Sequence, residues 1–498
     1  MSETKSKISN EVIENFLQGS DPQEFIVAIE AGYNEPSVTL IINDKENGGK
    51  RMEDHRYRPF LWFKEEVTKI MYGGKRNLIK KAIEKYGITI TKLKTSIGGE
   101  AETFRMGDGF KYMAKTKGSN TRLLKFFKEG GVDVYGESTK SYFIAINPIE
   151  QYLIASGKRL FKGMDDYNDV HRLQFDLETT GLKPKGGLLS PEEINDIKSR
   201  MSTGEDLTKL YEFDAGNNPT RHKDARIFQV GIRDNKGFEE IIEVPQTGSR
   251  KELRDLEAYS ILKFFDIINT LRPDVIAGYN SENFDWHFIF TRCEILNIDI
   301  ELIAKTLDKS GKSNIRRVDK SIKFGGESEF YKQTMMWGYN IVDVYHAVRR
   351  AKAINSNIKS AGLKYITKYS KLNKDNRVYV EGNKIYSIWA DKDTNYAFND
   401  ADGSYYPITE ERPLEDGYEE VMGDVIIRRY LLDDLWETEK VDGVYNQASF
   451  LLSKIIPTSY MRSTTMGTAG IWKLIMLAWS YENRLAIPAV KPRKTFTG

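Results

Sequence analysis

The sequence predicts an α/β protein in which helices cover a mixed central sheet. Segments rich in β-forming residues alternate with segments of helical period through the middle of the chain. Hydrophobic residues make up 40% and charged residues 29% of the sequence, which is typical of a folded globular protein. At 498 residues the chain is too long for one compact domain, so we expect two or three.

The first predicted domain spans residues 1–165 and is of α+β type. The polar, acidic run Met164–Val170 is interpreted as a linker to the next domain. Strand composition and helical spacing of apolar residues predict strands at Phe25–Ile29, Ser37–Ile42 and Pro59–Phe63, and helices at Asn77–Tyr86, Leu123–Lys128 and Ile149–Leu160.

The second predicted domain, residues 166–445, contains the order strand, two hairpin strands, helix, strand, helix. Two insertions interrupt it: a polar, partly helical one at 183–225 and a turn-rich β insertion at 370–415, in which VEGNK is typical of a hairpin turn. Residues 446–498 are predicted to form a helical segment. The elements of the second domain are His171–Leu177, Arg226–Asp234, Glu239–Val244, Leu256–Leu271, Asp274–Gly278 and a helix to Asn297.

Composition excludes several classes of protein. The net charge of +2 is too small for bulk attraction to nucleic acid, so such contacts would need local patches. A single cysteine, Cys293, can build neither a disulfide framework nor a zinc site, and none of the five histidines is paired at metal-ligand spacing. Without a signal peptide or an apolar stretch that spans a bilayer, we expect a cytoplasmic protein.

The first candidate site motif is QFDLETTG, at the end of an apolar strand. Asp176 and Glu178 are two residues apart, so their side chains share one face of the strand. Two adjacent carboxylates repel each other, and hard cations such as Mg²⁺ or Mn²⁺ prefer oxygen ligands of this kind. The alternative for this motif alone is a strand that ends in two solvated acids.

The second motif is GYNSENFD, which follows a short buried strand. Asp285 falls in the first turn of a helix, where the helix dipole favours an acidic side chain. Asn280 and its polar neighbours can cap that helix. A capped helix with no further function is the alternative.

The third motif lies on the late helix that contains YLLDD. Tyr430 and Asp434 are four residues apart and therefore lie on one side of the helix, where a phenol and a carboxylate can orient a water molecule. The competing acids are Asp433, interpreted as solvated, and Asp424, interpreted as a helix-start acid. The alternative is a charged helix with a half-buried tyrosine.

Taken together, the three motifs resemble Exo I, Exo II and Exo III of DnaQ-like 3′–5′ exonucleases, which have a ribonuclease-H-like mixed sheet. GYNSENFD is similar to the family B DNA polymerase form of Exo II, and YLLDD to the Tyr-x-x-x-Asp of Exo III. The flanking runs VDVYHAVRR, SAGLKYITKY and SGKRLFKG also resemble family B DNA-directed DNA polymerases of a phage lineage. The resemblance covers most of the chain from about residue 150 onward.

This resemblance implies hydrolysis of a phosphodiester bond with two metal ions about 4 Å apart, Mg²⁺ with Mn²⁺ as the alternative. By analogy, Asp176 would bridge both ions, and Glu178 and Asp434 would hold the ion that generates the nucleophile. Asp285 would support the second ion, and Tyr430 would orient the attacking water.

The resemblance further implies a proofreading exonuclease that acts on a frayed single-stranded 3′ end of DNA. Asn280 and Phe284 are the candidates to hold or stack on the terminal nucleotide, and Thr179 is a third candidate DNA-binding residue. The expected partners are DNA, the polymerase palm, fingers and thumb in the same parent protein or in a separate subunit, and a sliding clamp. No membrane partner is expected.

The polymerase active site itself is not found in the sequence. DADGSYYP (400–407) differs in spacing and position from polymerase motif A, and neither motif B nor Asp-Thr-Asp occurs. The terminal FTG resembles the start of the loop that precedes the palm, so the palm is expected to lie outside this chain. Two alternatives stay open: a catalytically weak, exonuclease-like DNA-binding module that braces a separate polymerase subunit, and an unrelated DNA- or RNA-processing nuclease of the same fold.

Overall fold

The structure is a computed structural model, and it divides into two compact units. The first comprises Met1–Asp165 together with Ala448–Gly498, and the second comprises Asp166–Gln447. The structure describes residues 10–32, 36–44, 46, 48–95, 109–134, 142–180, 189, 191–208, 211–214, 216–222, 226–245, 247–308 and 311–488. The terminal FTG and parts of the insertion at 183–225 lie outside these residues.

The first unit contains two antiparallel sheets, of strand order β1-β2-β3 and β5-β6-β4-β7. Its last helix before the second unit begins at Pro148, after the cap residue Asn147, and ends at Ser156, before the left-handed Gly157. The predicted extension of this helix to Leu160 is therefore wrong. The elements are α1 (Asn10–Leu17), β1 (Ile26–Ala31), β2 (Ser37–Asn43), β3 (Lys50–Arg56), β4 (Phe60–Phe63), α2 (Glu65–Ile70), α3 (Arg76–Tyr86), β5 (Ile88–Lys92), β6 (Tyr112–Thr116), α4 (Asn120–Glu129), β7 (Phe143–Ile144) and α5 (Pro148–Ser156).

The second unit contains a five-stranded sheet, the helices packed on it and three smaller sheets. Its elements are β8 (Arg172–Thr179), α6 (Pro191–Ser202), β9 (Tyr211–Phe213), β10 (Pro219–His222), β11 (Ile227–Asp234), β12 (Glu239–Glu243), α7 (Arg250–Leu271), β13 (Val275–Gly278), α8 (Asp285–Leu296), α9 (Ile300–Leu307), β14 (Ile315–Phe324), β15 (Glu327–Met336), β16 (Asn340–Asp343), α10 (Val344–Ile354), α11 (Leu363–Tyr369), α12 (Ile385–Ala390), β17 (Asn395–Phe398), β18 (Tyr405–Pro407), β19 (Glu419–Met422) and α13 (Gly423–Tyr445).

Three helices follow and belong, from residue 448 onward, to the first unit. They are α14 (Gln447–Ser453), α15 (Tyr460–Thr465) and α16 (Thr468–Glu482). Leu474 and Leu477 of α16 pack with Phe60 and Trp62 of β4 in one hydrophobic cluster. The C-terminal helices therefore contribute to the hydrophobic core of the first unit.

The five-stranded sheet of the second unit has the order β12-β11-β8-β13-β16. Strands β12, β11 and β8 are antiparallel neighbours, whereas β13 and β16 run parallel to β8. Numbered along the chain, this order is 3-2-1-4-5, which is the ribonuclease-H-like mixed sheet that the sequence predicts. The central strand is β8, which therefore places Asp176 and Glu178 in the middle of the sheet.

The two insertions differ in their structure. Within 183–225, the described residues form α6 and the short antiparallel pair β9–β10. Within 370–415, VEGNK is not a hairpin turn, because it leads into α12; the antiparallel pair of this insertion is β17–β18. The sequence also left unassigned the ten-residue pairing of β14 with β15, whose strands meet at Gly325-Gly326.

Helix α13 packs directly on the central sheet, and a glycine makes this close approach feasible. A Cβ on Gly231 would lie 2.8 Å from Leu431 and 2.9 Å from Leu435 of α13. Arg172 of β8 pairs with Asp442 at 2.6 Å, and Arg233 of β11 pairs with Glu439 at 2.6 Å. The two neighbouring strands β8 and β11 are therefore both joined to α13 by ion pairs. This packing fixes the depth of α13 and hence of the acidic side chains it carries.

Replacing Gly231 by Ala is expected to push α13 away from the sheet. Overpacking of this kind costs about 1–3 kcal/mol of folding free energy. Chemical denaturation measures the loss, and Gly382→Ala serves as the control because a Cβ there would meet no atom within 4 Å. Equal stability of the two variants would contradict the close packing of α13.

Candidate active site

Three carboxylates converge where β8 faces α13. One oxygen each of Asp176, Glu178 and Asp434 lies within 4.8 Å of the other two. Asp176 and Glu178 lie on β8 opposite Gly231 and Gln229 of β11, and Asp434 lies in the middle of α13. Residues separated by more than 250 positions are therefore brought together by one strand and one helix.

Asp285 adjoins this cluster without belonging to the set of three. It is buried in the first turn of α8, and its Oδ1 accepts a hydrogen bond of 3.1 Å from the backbone N of Leu177. Leu177 lies between Asp176 and Glu178, so Asp285 is tied to the strand that carries both of them. All four acids predicted from the sequence are thus in one neighbourhood.

Burial and mutual repulsion raise the pKa values of these acids. Burial, with a contribution from Asp434, raises the pKa of Asp176 to about 8. Burial is also the main cause of the raised pKa values of Glu178 and Asp285, and Asp176 adds to both. Burial raises the pKa of Asp434 too, although Arg377 partly opposes it. Such a set of acids is stabilised by any cation bound among them.

Tyr430 and Asp434 lie on one face of α13 and are contacted by two basic residues. Lys364 of α11 donates from Nζ to the Tyr430 hydroxyl at 2.9 Å and lies 4.4 Å from the centre of its ring. Arg377 donates from Nη2 to Asp434 Oδ1. The sequence does not identify either basic residue as part of the site, because neither falls within an acidic motif. Lys364 lies in the flanking run SAGLKYITKY, which gave no indication of its role.

The interpretation of Asp433 as a solvated acid is wrong. Its side chain is fully buried. The backbone N of Val378 donates to it at 3.0 Å, Lys374 pairs with it at 2.9 Å, and Arg429 lies at 3.5 Å. Asp433 therefore faces the segment before α12 rather than solvent, and it anchors that segment to α13.

The interpretation of Asp424 is confirmed. Asp424 lies in the first turn of α13 and forms a partly exposed pair with Arg428 at 3.7 Å. It takes no part in the carboxylate cluster.

The candidate DNA-binding residues lie on the segments that carry the acids. Thr179 is buried directly after Glu178 on β8, and Phe284 is half-buried directly before Asp285, with its ring centre 5.9 Å from that of Phe288. Their contact with DNA stays a prediction, since position alone does not test it.

Asn280 has a left-handed φ of 61° in the loop before α8. Asp343 at the end of β16 holds that loop, because its carboxylate accepts from the backbone N of Asn280 at 2.8 Å and of Glu282 at 3.1 Å. Asp343 was noted in the sequence only as part of a flanking run. The structure gives it a defined role in shaping the loop that leads to Asp285.

The donor set fits a divalent cation. Three carboxylate oxygens within 4.8 Å offer the hard oxygen ligands that Mg²⁺ and Mn²⁺ prefer. The neighbouring Asp285, in the first turn of α8, adds a fourth acidic side chain, which accepts from the backbone of the strand that carries Asp176 and Glu178. The chemistry of these residues is therefore that of a divalent-metal site rather than of a nucleophilic or thiol site.

The raised pKa values predict that stability of the metal-free protein depends on pH. A carboxyl group whose pKa is higher in the folded chain favours folding while protonated, so its contribution is complete below its unfolded pKa of about 4. That contribution is lost as pH rises through the folded pKa of about 8 for Asp176. We therefore expect Mg²⁺ to raise the melting temperature more at pH 8 than at pH 5.

Differential scanning calorimetry with chelator or Mg²⁺ measures this effect. A ligand at 100 times its Kd adds about 2.7 kcal/mol of stability. The variant Asp176→Asn with Glu178→Gln is the control and should lose the Mg²⁺ effect at pH 8. A Mg²⁺ effect of equal size at both pH values would contradict the electrostatic description.

The sheet order and the position of the acidic cluster define a ribonuclease-H-like domain of the exonuclease class. Residues 163–366 match the family model described as DNA polymerase family B, exonuclease domain. This part of the chain is therefore similar to that domain family. The match includes Asp176, Glu178 and Asp285 and ends before Tyr430 and Asp434, which enter the site through the geometry of α13.

A solved structure supports the same fold over a longer part of the chain. The family B DNA polymerase from the hyperthermophilic archaeon Pyrobaculum calidifontis is similar at a TM-score of 0.55 and 16% identity. The similarity covers 94% of this chain and 51% of that one, so this chain spans about half the length of the polymerase. At this identity the likeness shows the fold alone.

No curated protein matches the sequence. Among the residues that the structure places, no helix is long and apolar enough to cross a lipid bilayer.

Proposed function

We propose that this chain supplies the proofreading 3′–5′ exonuclease of a family B replicative DNA polymerase. The reaction is hydrolysis of the 3′-terminal phosphodiester bond of DNA with two divalent metal ions. The observation that carries the proposal is the convergence of Asp176, Glu178 and Asp434 within 4.8 Å, inside a chain whose residues 163–366 match the family B exonuclease domain.

The four acids divide the work of metal binding. Asp176 is at the centre of the sheet and would contact both ions, whereas Glu178 and Asp434 would hold the ion next to the nucleophile. Asp285 would support the other ion. Bound divalent ions lower the pKa of a water ligand and stabilise the developing charge on the leaving oxygen.

Tyr430 is suited to orient the attacking water. Its hydroxyl accepts a hydrogen bond from Lys364, so its own proton is available to an acceptor such as Asp434 or a water molecule. Burial and Asp434 raise the pKa of Tyr430, which keeps the phenol protonated in the reaction. The ring is fixed between the basic side chains of Lys364 and Arg377.

The proposed substrate is a frayed, single-stranded 3′ end of DNA. Phe284 would stack on the terminal base, and Asn280 and Thr179 would hold the nucleotide close to the carboxylates. Mg²⁺ is the proposed metal, with Mn²⁺ as a substitute. The proposed partner is a polymerase palm with its fingers and thumb, in the same parent protein or in a separate subunit. A sliding clamp is a further proposed partner, and the proposed location is the cytoplasm.

Degradation of a 5′-labelled single-stranded oligonucleotide with Mg²⁺ tests the proposal. We expect a ladder that shortens from the 3′ end, stops with chelator, and forms faster from a duplex with a mismatched 3′ end than from a matched one. A folded protein that binds DNA but forms no ladder with Mg²⁺ or Mn²⁺ would instead support a non-catalytic module that braces a polymerase subunit.

A further inference from the structure

One arginine contacts several acidic residues of α13 at once. Arg377 is only 2% exposed and lies between α11 and α12. Its Nη2 donates to Asp434 Oδ1, its Nε lies 3.1 Å from Glu437 Oε2, and its Nη1 lies 3.8 Å from Asp433 Oδ2. One guanidinium thus compensates three carboxylates that are buried within two turns of one helix.

The same guanidinium contacts the aromatic residue of the third motif. Its carbon lies 5.0 Å from the centre of the Tyr430 ring and 5.3 Å from that of Tyr379. Both side chains of the Tyr-x-x-x-Asp pattern, the phenol of Tyr430 and the carboxylate of Asp434, are therefore in contact with Arg377. A planar, always-charged group with five donors in fixed directions can make these contacts together, whereas an ammonium group cannot.

We infer that Arg377 is a positioning residue for metal binding: it holds Oδ1 of Asp434, so that Asp434 offers a metal ion its other oxygen only. This inference rests on the proposed metal-dependent function. A hydrogen bond to a ligating carboxylate fixes the direction in which the remaining oxygen points. Asp434 then acts as a single-oxygen ligand, and the rotation of its carboxylate is restricted before a metal ion arrives.

The contacts of Arg377 indicate whether it positions a metal ligand or instead occupies the metal position itself. Among the described residues, the ion-pair partners of Arg377 all lie on α13, whereas Asp176 and Glu178 lie on β8. A cation that occupied the metal position would be surrounded by acids from both elements. Arg377 therefore lies on the α13 side of the cluster and stabilises the position of one proposed metal ligand, Asp434.

The test is Mn²⁺ binding by the full chain, measured by isothermal titration calorimetry, with Arg377→Lys beside the unaltered protein. Loss of a hydrogen bond to a metal ligand weakens binding about 10-fold to 100-fold, and we expect a decrease in this range. The matched control is Arg159→Lys, which alters another buried arginine, one that lies in the first unit and donates to the backbone oxygen of Ile455 at 3.2 Å. Mn²⁺ affinity should be unchanged in this control.

Affinity of Arg377→Lys equal to or tighter than that of the unaltered chain would overturn the inference. If the variant does not fold, a crystal structure of the unaltered chain with Mn²⁺ decides: the inference requires Asp434 to bind through one oxygen while the other stays on Arg377. Ligation by both oxygens with Arg377 displaced, or no Mn²⁺ at Asp434, would contradict it. Mn²⁺ binding without degradation of DNA would reject the proposed function separately.

Discussion

Replacing Asp176 by Asn together with Glu178 by Gln is expected to reduce the removal of 3′ nucleotides at least about a thousandfold. This corresponds to about 4 kcal/mol of activation free energy, at 1.36 kcal/mol for each tenfold change in rate. Both amides retain the shape of the acids but lose the charge that holds a divalent cation. Initial rates on a 5′-labelled single strand, with saturating Mg²⁺, measure the loss.

The control for this loss is Asp424→Asn. Asp424 is an acid of α13 that lies away from the cluster, so its neutralisation should leave the rate within about twofold of the unaltered protein. The double variant should remain folded, because it removes repulsion between neighbouring acids that have raised pKa values. A folded double variant with more than a tenth of the original rate would refute the assignment of both residues as metal ligands.

Replacing Arg292 by Leu is expected to destabilise the second unit by about 3–5 kcal/mol, the range for removing one partner of a buried ion pair. Glu257 of α7 accepts from Arg292 Nε at 2.7 Å and Nη2 at 2.6 Å, and from the backbone N of Ile227 at 2.8 Å. Without Arg292 the fully buried carboxylate of Glu257 loses both guanidinium donors and keeps the backbone donor of Ile227. Because Arg292 lies on α8, two turns after Asp285, the change also loosens the helix that carries Asp285.

Equilibrium unfolding in urea measures this loss, and Arg428→Leu is the matched control. Arg428 pairs with Glu243 at 2.6 Å but is 50% exposed, so solvent screening limits its contribution to about 0–1 kcal/mol. A loss for Arg292→Leu as small as that for Arg428→Leu would show that the Glu257 pair does not hold α7 and α8 together.

The sequence predicts the central sheet well because its strands follow simple patterns. Strands β8, β11 and β13 are apolar runs bounded by polar residues, and the hairpin of β11 and β12 has its turn at Asn235–Gly237. The same spacing arguments place Asp176 with Glu178 on one strand face and Tyr430 with Asp434 on one helix face. That these two pairs lie close together in space is predicted only by the resemblance to a known family. The structure shows that Asp176, Glu178 and Asp434 do lie together.

The residues that the sequence did not reveal are those whose partners are distant in the chain. Arg377 and Lys364 precede Asp434 by more than 50 positions and carry no motif of their own, so only the fold brings them to it. Asp433 was misinterpreted because a local rule about spacing cannot show that Lys374 and the backbone of Val378 cover it. Long-range ion pairs depend on tertiary packing, which no periodicity in the sequence encodes.

The hairpin of β14 and β15 was missed for a different reason. Its strands are rich in charged residues, so alternation of apolar and polar side chains is weak, and their length of ten residues each is unusual. The pair Gly325-Gly326 between two β-capable runs was the signal that could have found it.

Identification of the products released from a single-stranded oligonucleotide in the presence of Mg²⁺ tests the central claim most directly. Metal-assisted attack of water, with the 3′ oxygen of the preceding nucleotide as leaving group, predicts deoxynucleoside 5′-monophosphates, released one at a time from the 3′ end. Mass spectrometry of the early products measures this, with chelator as the control. Nucleoside 3′-monophosphates, internal cleavage, or release that continues in chelator would contradict an exonuclease centred on Asp176, Glu178, Asp285 and Asp434.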